Sequence, residues 1–225
     1  MSSVYLYAIL SGAPSCETGS GVCAEPLRTV AFGGLVALVG DVTQLPPASA
    51  MTLRAQDAVL RRLAAALDAV LPVRYGTLLA DDAALAEALE SRRPQLAEAL
   101  RRVAGCEQMT LRLWGDAPAV TPPAAAPTEA GPGTRYLTGR LEAQARAGHV
   151  PELAPLRAGL GDLVREERAE RHDRPPLLAT VQHLVPRGAG SRYVETVHAV
   201  RDELRPWRVS VTGPWLPYAF GEDAA

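Results

Sequence analysis

The sequence contains no lysine and no asparagine, and its single isoleucine is Ile9. The absence of lysine excludes Schiff-base chemistry and a P-loop of the usual type, since both need a lysine amino group. Lysine, asparagine and isoleucine have AT-rich codons, so a GC-rich genome explains why every basic residue is an arginine. The arginine content is therefore no signal of phosphate recognition, although arginine by itself would suit that task.

Long apolar runs and a full set of cysteines are also missing. No run reaches the roughly 18 apolar residues of a transmembrane helix, and residues 1–10 lack the basic region and cleavage site of a signal peptide. Cys16, Cys23 and Cys106 cannot all pair, which favours a reduced, cytoplasmic compartment. The net charge of -2 and isoelectric point of about 6.1 argue against nucleic acid or an acidic membrane surface as a partner.

What the sequence does contain is enough apolar material for a buried core. The 225 residues are 48% hydrophobic and 21% charged, which is typical of a globular protein with one or two domains. An uncharged Pro/Ala-rich stretch at 117–127 is the best candidate for a linker. We therefore predict an N-terminal domain at 1–116, a linker at 117–130 and a C-terminal domain at 131–225.

Hydrophobic patterns in the first half alternate between strands and helices. Continuous apolar runs predict buried strands at 4–10 and 32–42, with a long loop between them at 11–30. An apolar stripe predicts a helix over 51–71 that Pro72 stops, followed by a short strand at 73–79. Asp81 or Asp82 caps the next helix, and Pro94 either kinks it or starts a second helix capped by Ser91. Residues 109–114 alternate as a half-buried strand.

The second half follows the same scheme. Helices are predicted over 133–147 and 153–164, the latter continuing into the charged segment 165–171, which is typical of a solvated helix face. A strand at 177–185, a helix at 193–204 and a strand around 209–211 complete it. The fold class is therefore α+β, with two small domains, each a sheet with helices, and a ferredoxin-like arrangement is the common way to close such units.

No residue pattern is specific for a catalytic, metal or cofactor site. The cysteines lack metal-ligand spacing, the four histidines are scattered, and no Gly-x-Ser-x-Gly motif occurs. Gly131-Pro132-Gly133 precedes a helix without a strand leading into it, so we interpret it as helix-entry geometry and not as a phosphate site. We expect no enzymatic activity and no cofactor.

Two local patterns are candidates for partner binding. Arg74 and Tyr75 lie in a predicted short strand beside Gly76, where the arginine is either a recognition element or a structural tie to neighbouring carbonyls or a carboxylate. Trp215, Tyr218 and Phe220 cluster within six residues, and such a cluster either packs the chain end or presents an aromatic surface.

These two patterns belong to a longer resemblance that runs through both halves. The chain resembles the GvpL/GvpF family of gas vesicle proteins in the order and spacing of its motifs. The segments that carry it are YLYAI (5–9), LVALVGDV (35–42), VLPVRYGT (70–77), RRPQL (92–96), QMTLRLW (108–114), GPGTRYL (131–137) and VTGPWLPYAF (211–220). The sequence departs from the family at Tyr75, where Phe is more common, at Leu216, where Pro is common, and at Ala219, where Ser is common.

The resemblance implies a protein that helps to build gas vesicles and is not an enzyme. It implies an N-terminal α+β domain and a C-terminal modified ferredoxin-like domain. It also implies a cytoplasmic, gas vesicle-associated protein whose partners are the small hydrophobic shell protein GvpA and other gas vesicle accessory proteins, as an assembly factor or minor shell component. The family supplies no catalytic residues.

Two other classes of function stay open on the residues alone. One is a ligand-binding or enzymatic module on a ferredoxin-like scaffold, since fold does not fix function. The other is a regulator that binds nucleic acid, against which the mild acidity and the lack of interleaved basic and aromatic residues both argue.

Overall fold

The computed structural model describes residues 2–15, 17–116 and 150–221. They divide into two compact units. Unit 1 comprises the described residues of 1–107 and 215–225, and unit 2 comprises those of 108–214. Residues 215–221 thus belong to unit 1 although they follow unit 2 in the sequence. The predicted linker at 117–130 and the predicted helix at 133–147 lie outside the described residues, and the predicted domain boundaries stay a prediction.

Unit 1 is a sheet with helices on both faces. Its strands are β1 (Ser3–Leu10), β2 (Leu27–Phe32), β3 (Leu35–Val42), β4 (Val70–Pro72) and β5 (Leu78–Leu79), and its helices are α1 (Ala50–Ala66), α2 (Asp82–Glu90), α3 (Arg93–Val103) and α6 (Tyr218–Gly221). The strand order is β2-β3-β1-β4, with β5 also paired to β1. The central strand β1 is buried from Val4 to Leu10, as its continuous apolar run predicts.

A bulge in β1 decides which side chains face which helix layer. The register with β3 shifts between Leu6 and Ala8, so Tyr7 is the extra residue. Tyr5, Tyr7, Ala8 and Leu10 consequently pack together on the α1 side. Leu6 and Ile9 line the opposite face, towards α2 and α3.

Unit 2 follows the strand and helix sequence of a ferredoxin-like domain. Its elements are β6 (Cys106–Trp114), α4 (Ala154–Leu160) after a 3-10 turn at Pro151–Leu153, β7 (Glu166–Arg171), β8 (Leu177–Pro186), α5 (Gly190–Ala199), a 3-10 turn at Arg201–Leu204 and β9 (Arg208–Trp215). In the sheet order β7-β8-β6-β9, the first and third strands of unit 2, β6 and β8, lie at the centre, as they do in a ferredoxin-like β-α-β-β-α-β sheet. The α+β fold class is confirmed.

Several element boundaries differ from the predictions in unit 1. Most of the predicted strand at 32–42 forms as β3, but its start differs: Phe32 ends β2, and Gly33 and Gly34, both at positive φ, form the turn between β2 and β3. The predicted loop at 11–30 therefore ends at β2. Helix α1 ends at Ala66, so Pro72 does not stop it but lies in β4, and of the predicted strand at 73–79 only β5 forms.

Two capping predictions have opposite outcomes. Asp81 caps α2 as predicted, since its carboxylate accepts from the Ala84 backbone N–H at 2.8 Å. Pro94 starts a second helix as one alternative predicted, but Ser91 does not cap it. Helix α3 begins after Arg92, and the Ser91 hydroxyl donates back to the carbonyl of Ala88.

In the charged segment 165–171 the predicted type of secondary structure is wrong. It forms strand β7, paired antiparallel to β8 with Glu167 opposite His183, instead of a solvated helix. Alternation in charge sign is compatible with either element, and the partners that decide between them come from elsewhere in unit 2.

Candidate groove in unit 1

A cavity of about 530 Å³ opens on the α2–α3 face of the unit 1 sheet. Its floor is formed by β1 and β4 and its walls by α2, α3 and the short C-terminal helix α6. Most of its lining is aliphatic: Leu6, Ile9, Leu71, Pro72, Val73, Leu79, Leu85, Ala88, Leu89 and Leu96. Arg74, Arg92 and Tyr218 also line it, so a few polar groups lie within a mainly apolar surface. This combination is typical of sites that bind apolar groups and orient them through a few polar contacts.

The segment that carries Arg74 is held by side chains of the α1-side core. Gln56 of α1 donates from Nε2 to the carbonyl of Val73 at 2.9 Å and accepts from the Tyr5 hydroxyl. The chain then turns at Gly76, whose φ of +95° suits glycine, and its N–H donates to the Tyr5 hydroxyl at 3.4 Å. The position of Arg74 is therefore fixed by buried hydrogen bonds.

Tyr75 faces the other way from Arg74. Its ring lies 6.0 Å from that of Tyr5 in an edge-on arrangement, and its hydroxyl donates to the carbonyl of Pro46 at 2.7 Å. It is half-buried and packs against the α1-side core. Tyr75 thus ties the segment before α1 to the sheet.

Residues 215–221 pack onto unit 1 through alternate side chains. Trp215 is 40% exposed, with the guanidinium of Arg61 lying 5.8 Å from its ring, while Leu216 is buried in the α1-side core. Phe220 is fully buried. Burial raises the pKa of Tyr218 to about 12, with Asp57 adding to the effect, so the hydroxyl is neutral at physiological pH.

The structure brings two of the predicted binding residues together. Arg74 and Tyr218 both line the cavity although they come from the two separate sequence segments of unit 1. Tyr75 and Trp215 lie on the α1 side, and the buried Phe220 supports α6 from inside. Sequence reasoning missed Arg92 and the aliphatic wall, because Leu85, Leu89 and Leu96 have the spacing of ordinary core residues.

Unit 2 contains a buried polar network that sequence reasoning did not find. Nε2 of His183 lies 2.9 Å from Glu167 and Nδ1 lies 2.6 Å from the Tyr193 hydroxyl. Glu167 also accepts from Arg157 at 2.7 Å. Hydrogen bonding to His183, then to Arg157, holds the pKa of Glu167 at about 2 against the opposing effect of burial. Both ring nitrogens are used and only 4% of the His183 side chain is exposed, so this network is structural.

Among residues 2–15, 17–116 and 150–221, no three His, Cys, Asp or Glu side chains are grouped to hold a metal ion. No helix in the same ranges is long and apolar enough to cross a membrane.

Comparison with known proteins identifies the family. The profile of the gas vesicle synthesis protein GvpL/GvpF family matches residues 3–222. The chain is 28% identical to gas vesicle protein L of Streptomyces sp. (strain CB03234), covering 91% of this chain and 86% of that protein. It is 26% identical to gas vesicle protein F of the same strain, covering 98% and 100%.

Solved structures agree on the fold. The gas vesicle protein GvpF of Anabaena sp. PCC7120 superposes with a TM-score of 0.71 at 18% identity, covering 98% of this chain and 96% of that one. GvpF of Microcystis aeruginosa gives the same TM-score and identity, covering 97% and 98%. With the family profile matched along nearly the whole sequence, the chain belongs to the gas vesicle synthesis protein GvpL/GvpF family.

Proposed function

We propose that this chain supports gas vesicle assembly by binding the shell protein GvpA, and that the unit 1 groove receives an apolar segment of it. The family supports the assembly role, and it is not a known enzyme family. The observation that carries the finer proposal is the aliphatic groove in which Arg74 and Tyr218 meet. Shell subunits expose apolar surface before they assemble and aggregate readily, so a groove of this kind would keep them available.

Groove binding fits unit 1 better than strand addition. The outer strand β2 carries Arg28, which bridges Asp41 and Asp82 at 2.8 and 2.7 Å and so covers part of that edge with charge. At the other side of the sheet, β4 and β5 are only three and two residues long. Both edges are poor templates for an added strand, whereas the groove offers a preformed apolar surface.

Electrostatics add a preference for the bound segment. Arg74 and Arg92 are exposed where they line the groove. A carboxylate at the end of an apolar segment would pair with them and fix its direction. Each leucine-sized side chain buried in the groove would contribute about 1.5–3 kcal/mol, which is enough for a few such residues to dominate binding.

The test fills the groove without touching the core. Ala88 lines the groove and is exposed, so Ala88→Trp should occupy the space and leave the fold intact. Ala58→Trp, at an exposed position of α1, is the matched control. We expect Ala88→Trp to reduce co-purification of co-expressed GvpA by at least about tenfold, equivalent to about 1.4 kcal/mol, while Ala58→Trp binds as the wild type does. Normal capture by a folded Ala88→Trp variant contradicts the groove proposal.

Three further experiments test the second surface, the assembly role and the place of the chain in the vesicle. Trp215→Ala, which leaves the groove lining unchanged, tests the exposed aromatic side chain beside α1, and intact folding with intact GvpA capture would exclude it. Deletion of the gene with complementation, scored for intact vesicles, tests the assembly role itself. Detection of the chain in washed, purified vesicles would assign it to the shell as a minor component, and its loss on washing would assign it to assembly in the cytoplasm alone.

A further inference from the structure

A second surface feature lies in unit 2 and has the opposite chemistry. A shallow groove of about 880 Å³ lies where α5, the 3-10 turn at Arg201–Leu204 and β9 follow one another. Arg201, Arg205 and Arg208 line it together with His198 and Trp207. In a chain whose net charge is -2, this groove concentrates positive charge.

The backbone around this groove is anchored by buried side chains. Leu204 is 1% exposed and belongs to the unit 2 core, which holds the 3-10 turn in place. Trp207 is half-buried against the same core, and a methyl group built on Gly115 would lie 2.8 Å from its ring. The three arginines, one in the turn, one just after it and one at the start of β9, therefore project from an anchored backbone and share the groove with an aromatic side chain.

The positive charge of the groove is not neutralised from within. Asp202 is the acidic residue that lines it, and its pair with Arg205 at 3.0 Å is 80% and 88% exposed, so the pair is weak. The guanidinium groups of Arg201 and Arg208 make no hydrogen bond or ion pair within the part of the chain that the structure describes. Two arginines therefore remain available to a ligand.

We propose that this basic groove of unit 2 binds an acidic segment of a partner protein. Guanidinium groups match carboxylates in bidentate geometry, and three of them around one aromatic ring suit a short run of Asp or Glu beside an apolar side chain. A nucleic acid fits less well, because its binding depends on many phosphate contacts, and over the whole chain the 25 acidic residues outnumber the 23 arginines. The partner is distinct in chemistry from the apolar segment proposed for unit 1.

The experiment measures binding of a defined probe to the full chain. The probe is a fluorescein-labelled synthetic peptide of alternating glutamate and leucine, followed by fluorescence anisotropy at low salt. The matched peptide has glutamine in place of every glutamate. We expect the acidic peptide to bind at least about tenfold more tightly than the glutamine peptide, with an affinity that falls as sodium chloride is added.

A pair of triple variants with equal loss of charge locates the site. R201Q/R205Q/R208Q removes the groove arginines, and R54Q/R101Q/R174Q removes three exposed arginines elsewhere. We expect the first to weaken the acidic peptide by at least about tenfold and the second by less than about twofold. The single variant R208E, with a circular dichroism melting curve, serves if the groove triple does not fold.

Three outcomes overturn the proposal. One is that the wild-type chain does not distinguish the acidic peptide from its glutamine analogue. Another is that both triple variants weaken binding equally, which would mean that net charge alone attracts the peptide. The third is that a single-stranded oligonucleotide binds the groove more tightly than the peptide does, which would assign the groove to polyanions. None of these outcomes bears on GvpA capture by unit 1, which is measured separately.

Discussion

Units 1 and 2 satisfy their buried polar groups in different ways. In unit 1 the central strand is covered on both faces, and its tyrosines hydrogen-bond to single side chains, Tyr5 to Gln56 and Tyr7 to Glu25. In unit 2 the polar groups form charged pairs that connect helices to the sheet. Glu152, whose side chain is fully buried, accepts two hydrogen bonds from Arg171, and Glu167 joins Arg157 to His183.

This difference in how polar groups are buried bears on the kind of surface that each unit can offer to a partner. A sheet buried on both faces consists of nearly continuous apolar strands, so a gap in its helix layer is an aliphatic groove. In unit 2, β7 and β9 are half-buried or exposed along their length; β7 carries arginines and glutamates, and β9 begins with Arg208. The recognition proposed for unit 1 would therefore depend on apolar burial, and that proposed for unit 2 would depend on charge.

The sharpest test of this comparison removes one core leucine from each unit. Leu60 of α1 and Leu156 of α4 are 0% and 1% exposed, so Leu60→Ala and Leu156→Ala should each cost about 2–5 kcal/mol in free energy of unfolding. Because each leucine belongs to a separate core cluster, hydrogen exchange followed by mass spectrometry should show faster exchange within the mutated unit.

The control for this experiment is Leu53→Ala, on the same helix as Leu60 but 47% exposed, which should change stability by less than about 0.5 kcal/mol. If either core variant accelerates exchange equally in both units, the two units unfold as one and the comparison fails.

The next largest effect concerns the charged network of unit 2. The pKa of Glu167 lies at about 2 in the folded chain against an ordinary 4.5, so its stabilisation is present above pH 4.5 and is lost as the pH falls towards 2. Since 27% of the carboxylate is exposed, we expect a contribution on the order of 2 kcal/mol at neutral pH.

Denaturant titrations between pH 2 and pH 7 measure this contribution. Glu167→Gln should lower stability at neutral pH and flatten its pH dependence in that window. Glu170→Gln, at an exposed position of the same strand, should do neither. A wild-type stability curve that Glu167→Gln leaves unchanged would show that the network carries no net stabilisation.

The smallest effect is expected at the edge of the unit 1 sheet. Arg28 pairs with Asp41 and Asp82, but both carboxylates are more than half exposed, so Arg28→Gln should cost less than about 1 kcal/mol. The Arg28 guanidinium holds the pKa of Asp41 below its ordinary value, so the substitution should raise that pKa, which an NMR titration can follow. A larger loss of stability would make charge as important in unit 1 as in unit 2.

Local signals in the sequence were enough for some elements and not for others. Asp81 and Pro94 act through their own neighbours, so the start of α2 and the break before α3 were predictable. The hairpin at Gly33-Gly34 was within reach too, because two glycines between apolar runs are a turn signal. Strand β7 was not, since its Glu167 is satisfied by Arg157 and His183, which no local pattern connects to it.

The groove could be predicted only in part for a similar reason. Arg74 and Tyr218 were selected as binding candidates from their own segments, but nothing in either segment places them beside the same cavity. Trp215 and Tyr75 were selected on the same grounds and lie on the α1 side. The meeting of distant segments is decided by the packing of α6 on α3 and β4.

The return of residues 215–221 to unit 1 has a consequence for biosynthesis. A ribosome releases β1, α2 and α3 first, then all of unit 2, and only afterwards the segment that supplies Tyr218 and Gly221 to the groove. Since domains fold as they emerge from the ribosome, the groove of unit 1 lacks the wall formed by α6 until unit 2 has been synthesised. A nascent chain therefore lacks the complete groove until translation has passed residue 221, and the partner binding proposed for the groove would begin only after that point.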